Sequence, residues 1–112
     1  MPRSLIPDAG DVIWLAFFSP QARHAQERRR PALVLSPASY NGKTSMMVCC
    51  PMTTQLKAYP FEVVVTQNPP SAVLADQVKS LDWRTRGAVR KGRVTTAVLD
   101  EVRAKIRALI GA

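Results

Sequence analysis

Two short stretches hold the side chains best suited to chemistry: Glu-Arg-Arg-Arg-Pro at residues 27–31 and Pro-Met-Thr-Thr at residues 51–54. Arginine presents a planar fork of donors that matches a phosphate or a carboxylate, and a threonine hydroxyl holds a further oxygen of the same group. Between them lie two apolar runs, Ala32 to Ser36 and Met46 to Cys50, separated by Asn41-Gly42, which reads as a β-hairpin turn. With the turn centred there, antiparallel partners have numbers that sum to 83. Arg30 then faces Thr53, with Cβ atoms roughly 4.5–5.5 Å apart. Pro37 warns of a longer loop and a register slid by about two residues. In either register a guanidinium and a hydroxyl meet at the open end of a stiff hairpin, an arrangement fitted to a phosphate.

Other chemistries find little to work with. A single histidine, His24, excludes a paired-imidazole nuclease, and the acids are scattered rather than clustered for a divalent metal. A Ser-His-Asp set would need His24 as base inside a polar loop, which disfavours it. Gln77 and Lys79 fall on one face of a strand, where they would line an anion groove or a solvated surface equally well. Phosphate binding by arginine and hydroxyls is what remains. On RNA this suffices for cleavage, because the substrate brings its own nucleophile, the 2′-OH. The protein must align that hydroxyl in line with phosphorus and stabilise the charge gathering on the phosphoryl oxygens. No residue stands out as the one that moves the protons.

The elements that position these groups come from a chain of 112 residues, read as a single domain over 1–112. Sixteen Lys and Arg against eight Asp and Glu give a net charge of +8, which makes a polyanion the expected partner. No run approaches the ~18 apolar residues needed to span a bilayer, and no targeting signal is visible. Cys49 and Cys50 are neighbours on an expected strand and point to opposite faces, so they read as reduced core thiols of a cytoplasmic protein. Asp11 to Phe18 is a strong strand, covered on both sides, with Trp14 in the core. Ser19 to Arg30 is a long polar loop expected to cap the site. After a loop at 55–60, Phe61 to Thr66 is a strand, 68–71 a turn, and Val73 to Trp83 a strand bent near Asp76. Arg84 to Val94 reads as a tight hairpin carrying Arg86, Arg90, Lys91 and Arg93 outward. The last segment is a helix capped by Thr95 or Thr96 and closed by Gly111, with Val98, Val102, Ile106 and Leu109 as its apolar stripe and Glu101–Lys105 as an i,i+4 pair. Five or six strands and one terminal helix predict a mainly β fold, a small antiparallel barrel.

Beyond these patterns, the motifs Pro7-Asp-x-Gly-Asp-x-Ile-Trp, Arg30-Pro-Ala-x-Val-Leu-Ser, Tyr40-Asn-x-Lys-Thr, Pro51-x-Thr-Thr-Gln, Tyr59-Pro-Phe-Glu-Val and Ala75-Asp-Gln-Val-Lys-Ser occur in order. In them the chain resembles the MazF/PemK family, mRNA-cleaving toxins of bacterial toxin–antitoxin pairs, from about Pro7 to Gly111. The resemblance implies an SH3-like, PemK-type barrel and a homodimer whose groove binds single-stranded RNA. It implies cleavage at a short base motif without metal or cofactor, leaving a 2′,3′-cyclic phosphate and a 5′-hydroxyl, and neutralisation by a MazE-like antitoxin with an acidic C-terminal segment. It gives Arg30 and Thr53 the catalytic roles and suggests RNA contacts at Asn41, Lys57, Gln77, Lys79 and Arg86. One departure concerns proton transfer: the family's acidic residue five before the arginine is Ala25 here, which leaves Glu27 and His24 as substitutes at other spacings. Gyrase-poisoning toxins of related fold, and a non-catalytic RNA-binding barrel, are the alternative classes.

Overall fold

The structure, a computed structural model, describes residues 6–17 and 28–112. Among the described residues, seven strands and two α-helices follow one another: β1 (Asp11–Phe17), β2 (Arg28–Val34), α1 (Ala38–Thr44), β3 (Met46–Thr53), β4 (Glu62–Gln67), β5 (Pro70–Leu74), β6 (Lys79–Asp82), β7 (Val89–Arg93) and α2 (Thr96–Ile110). A 3-10 turn at Ala75–Gln77 joins β5 to β6. The strand pairings among the described residues are antiparallel, in the order β4-β5-β3-β2-β1-β7 with β6 also on β3. The sheet curls into a half-barrel, as the alternation of apolar strands and turns predicts.

β3 organises the sheet because it changes partner along one edge. Met46–Cys49 pair with β6, and Met52–Thr53 pair with β5. Pro51, which has no N–H to give, sits at the handover. The bend expected near Asp76 is the 3-10 turn, which carries the chain across that gap. It also takes Gln77 out of the strand, so Gln77 and Lys79 do not share a strand face.

Two apolar clusters lie on the sheet. Val12, Leu33, Cys50, Met52, Val63 and Val73 form one, and α2 covers it with Val98, Ile106 and the fully buried Val102. Ile13, Leu15, Ala32, Val34, Met47 and Cys49 form the other, closed by Trp83. Burying one such aliphatic side chain contributes about 1.5–3 kcal/mol. From Asp11 to Ala16 β1 is thus buried on both faces, except that Trp14 is half-exposed with the Lys91 ammonium 4.6 Å above its ring. α2 has the caps its sequence announces: Thr95 accepts from the Val98 N–H, and Gly111 closes the helix in the left-handed region. Its stripe runs out early, since Leu109 and Ile110 are exposed. Lys105 turns away from Glu101 and donates to the Pro60 carbonyl at 2.7 Å.

Two expectations about local structure fail. Asn41-Gly42 is not a two-residue turn but lies inside α1. Asp8 of the Pro7–Gly10 turn caps that helix by accepting the Ala38 N–H at 2.9 Å. The Asn41 amide is fully buried, giving Nδ2 to the Pro7 and Ser36 carbonyls at 2.7 and 2.9 Å and accepting the Ser36 hydroxyl. Its carbonyl takes the Trp83 indole N–H at 3.0 Å. Tertiary capping outcompetes the hairpin signal. Arg84 to Val94 is likewise no hairpin. After a turn over 83–87, β7 pairs with β1.

Candidate active site

The β2–β3 register keeps the predicted sum although the turn differs: Ala32 faces Pro51, Leu33 faces Cys50 and Val34 faces Cys49. Arg30 and Thr53 each lie two residues beyond the last of these pairs, Ala32 and Pro51, toward the open end. Both line one cleft of about 370 Å³, together with Arg29, Met52, Gln55 and Gln77. Arg30 is exposed, and among the described residues its guanidinium has no hydrogen bond or ion pair. Arg29 donates Nη1 to the Gly87 carbonyl at 3.3 Å. Thr53 Oγ1 accepts the Gln55 N–H at 3.0 Å, so its own proton remains to be given to a ligand oxygen. A second cleft of about 260 Å³ continues the first through Thr53, Gln55, Leu74 and Gln77 and adds Lys57, Tyr59 and Glu62.

The loop between β3 and β4 carries Gln55 and Lys57 and is tied down three times. Glu62 Oε2 accepts the Lys57 N–H and Oε1 the Ala58 N–H, both at 2.9 Å. Tyr59 gives its hydroxyl to Asp76 Oδ1 at 2.7 Å, joining the loop to the 3-10 turn that bears Gln77. Lys105 holds Pro60 from α2. Ala58 has φ +55, a left-handed conformation that costs a side chain of order 1 kcal/mol and persists only where the surroundings impose it. The bond to Asp76, ahead of burial, pushes the Tyr59 phenol up to about 12. Sequence reasoning missed Glu62 and Asp76. The available signal was Glu62 inside an apolar run, where an acid needs partners.

The family model for the PemK-like, MazF-like toxins of type II toxin–antitoxin systems matches residues 8–110. The chain belongs to that family. The endoribonuclease toxin MazF of Escherichia coli (strain K12) is 52% identical over 107 residues, covering 95% of this chain and 96% of that protein. The endoribonuclease PemK of Escherichia coli is 29% identical over 120 residues, covering 98% and 90%. A crystal structure of MazE-MazF from Deinococcus radiodurans superposes with TM-score 0.89 at 50% identity, over 96% of this chain and 98% of that one.

Within this MazF-like fold the other expected contact residues separate. Lys57 and Gln77 line the continuous clefts. Lys79, exposed on β6 opposite Cys49, is outside their lining. Arg86 is half-buried and donates Nη1 to the Ala16 carbonyl at 3.2 Å, fastening the 83–87 turn to β1. Asn41 is corrected from an RNA contact to a buried structural hub, since its side-chain amide is spent within the protein. His24, Glu27 and most of the expected capping loop lie outside the described residues. Asp82 is held below its usual range, first by the Thr85 backbone N–H and then by the Ser45 hydroxyl and the Arg84 N–H, and so shapes the turn bearing Arg84 and Arg86. Both thiols are free and buried; burial pushes Cys49 to about 11 and Cys50 to about 12, so neither is a nucleophile near neutral pH. Chemically the paired clefts offer the Arg30 guanidinium, unpaired among the described residues, the Thr53 hydroxyl and a polar trough beyond them.

Proposed function

We propose that this chain is a sequence-specific endoribonuclease toxin that cleaves single-stranded mRNA without a metal ion. In this reading the 2′-oxygen attacks the adjacent phosphorus, its proton leaves, the P–O5′ bond breaks and O5′ takes up a proton. The products are a 2′,3′-cyclic phosphate and a 5′-hydroxyl. Arg30 stabilises the charge growing on the phosphoryl oxygens and serves second as a donor to O5′; Thr53 gives its hydroxyl proton to a phosphoryl oxygen. Lys57 and Gln77 meet the nucleotides along the second cleft, while Lys79 and Arg86 act on flanking backbone. The group that takes the 2′-OH proton is left unassigned; Glu27 and His24 are the substitutes the chain offers, each at a spacing from Arg30 other than the family's.

The observation that carries the reading is that Arg30 and Thr53 line one cleft, with the guanidinium unpaired among the described residues. It is supported by the endoribonuclease activity named for the 52% identical MazF of Escherichia coli. The crystallised MazE-MazF pair from Deinococcus radiodurans supports a MazE-like antitoxin as partner, and the net charge of +8 suits an acidic antitoxin segment in the RNA groove. The toxin acts as a homodimer in the cytoplasm; no helix of the described residues is long and apolar enough to cross a membrane. The test is a defined RNA incubated with the protein in EDTA, followed by sequencing of the fragment ends. Wild type is expected to cut at one short motif, and Arg30→Ala and Thr53→Ala each to lose about 10²-fold or more in rate with the fold intact. Wild-type rates in either variant would remove the assignment, and an uncut RNA would leave a binding barrel.

A further inference from the structure

Glu62 is an acid at the head of β4, only 8% exposed, beside the fully packed Val63. A carboxylate in such a place must be fully hydrogen-bonded, and its two oxygens take the N–H groups of two successive loop residues, Lys57 and Ala58. Its own N–H returns to the Tyr59 carbonyl at 3.0 Å. The same residue therefore closes a ring of backbone contacts around 57–62. That ring holds Ala58 at positive φ and aims Lys57 into the cleft that Gln55 and Gln77 share. Leu56 is 37% exposed, so apolar packing does little to hold this loop. Charge-assisted bonds from Glu62 do the holding.

We propose that Glu62 is a positioning residue for base selection: by fixing the backbone at Lys57–Ala58 it sets the shape of the trough that reads the nucleotide next to the cleaved phosphate. The proposal rests on the endoribonuclease reading. It assigns Glu62 no contact with the reacting atoms. Two N–H groups are withdrawn from the groove, so the loop faces RNA with the Gln55 and Lys57 side chains instead. Recognition of unstacked bases needs groups held at fixed distances, and a loop that drifts accepts several bases where a fixed one accepts one.

Glu62→Gln tests this with little change of volume. The amide keeps one acceptor for one N–H and turns a donor toward the other, so one tether becomes a repulsion. With wild type, Glu62→Gln and Thr53→Ala, single-turnover rates and KM are measured on the cognate RNA and on RNAs changed at one base. For Glu62→Gln the expected result is a KM raised about tenfold, kcat within about threefold, and discrimination against the changed bases reduced about tenfold. Thr53→Ala should instead lose kcat. Amide exchange at Lys57 and Ala58 should quicken in Glu62→Gln while the Val63 amide stays protected. Tyr59→Phe, which cuts the tether to Asp76 and leaves Glu62 in place, should weaken discrimination in the same direction and gives the readout if Glu62→Gln does not fold. A folded Glu62→Gln with wild-type KM and cut motif, or Tyr59→Phe with unchanged discrimination, would overturn the proposal while the nuclease reading stands. Wild-type protein that cuts no RNA would overturn both.

Discussion

At the Thr53 hydroxyl, the Gln55 N–H occupies one lone pair, which leaves the hydroxyl's own proton to be given to a ligand oxygen. Arg30 is prepared in the opposite way, by being left unpaired among the described residues. A neighbouring phenol reports on the same region. Tyr59 has its folded pKa raised from 10.0 to about 12 by the bond to Asp76. A group raised in the folded state contributes stability that is whole below pH 10 and disappears as pH climbs from 10 toward about 12. Tyrosinate absorbance, taken as wild type minus Tyr59→Phe, should show a midpoint near 12 that falls toward 10 in Asp76→Ala. An unchanged midpoint in that variant would deny the bond its role. That Arg30 and Thr53 would share one cleft was legible in the sequence because the apolar runs on either side count out the strand register. Glu62 and Asp76 were not, since their partners are backbone N–H and a phenol in loops whose shape no spacing encodes.

The helix α1 shows how an element can be misread while its neighbours are placed correctly. Asn41-Gly42 carries a hairpin signal, yet the strands keep their register because burial, with Leu33 and Cys50 in one cluster and Ala32, Val34 and Cys49 in the other, and not turn type, fixes the pairing. The loop lengthens on both sides of the same centre, so the pair sum does not change. What decides helix over turn is long-range: the Asp8 carboxylate, the Pro7 carbonyl and the Trp83 indole all converge on 37–41. Asn41→Ala should therefore destabilise the fold by about 2–4 kcal/mol, read as a lower urea midpoint with unchanged slope, because buried carbonyls lose their donor. A loss under about 0.5 kcal/mol would mean that Asn41 is not the hub. α2 was legible from end to end because caps and stripe are local. β7 was not, since its partner β1 lies some eighty residues earlier.

For the molecule as a whole, a curled sheet brings two strand ends together and leaves Arg29 and Arg30 of β2 exposed beside a polar trough. The charge of +8 suits an RNA backbone at that surface, and the endoribonuclease reading requires that Arg30 and Thr53 then hold one and the same phosphodiester. A double-mutant cycle on RNA cleavage measures that directly: wild type, Arg30→Ala, Thr53→Ala and the double variant, compared by single-turnover rate. Groups acting as a unit are strongly non-additive, so the double variant should lose about as much as the worse single variant. Losses that multiply, each variant adding its full factor to the other, would mean that the two side chains work on different steps or different phosphates, and would contradict the shared grip.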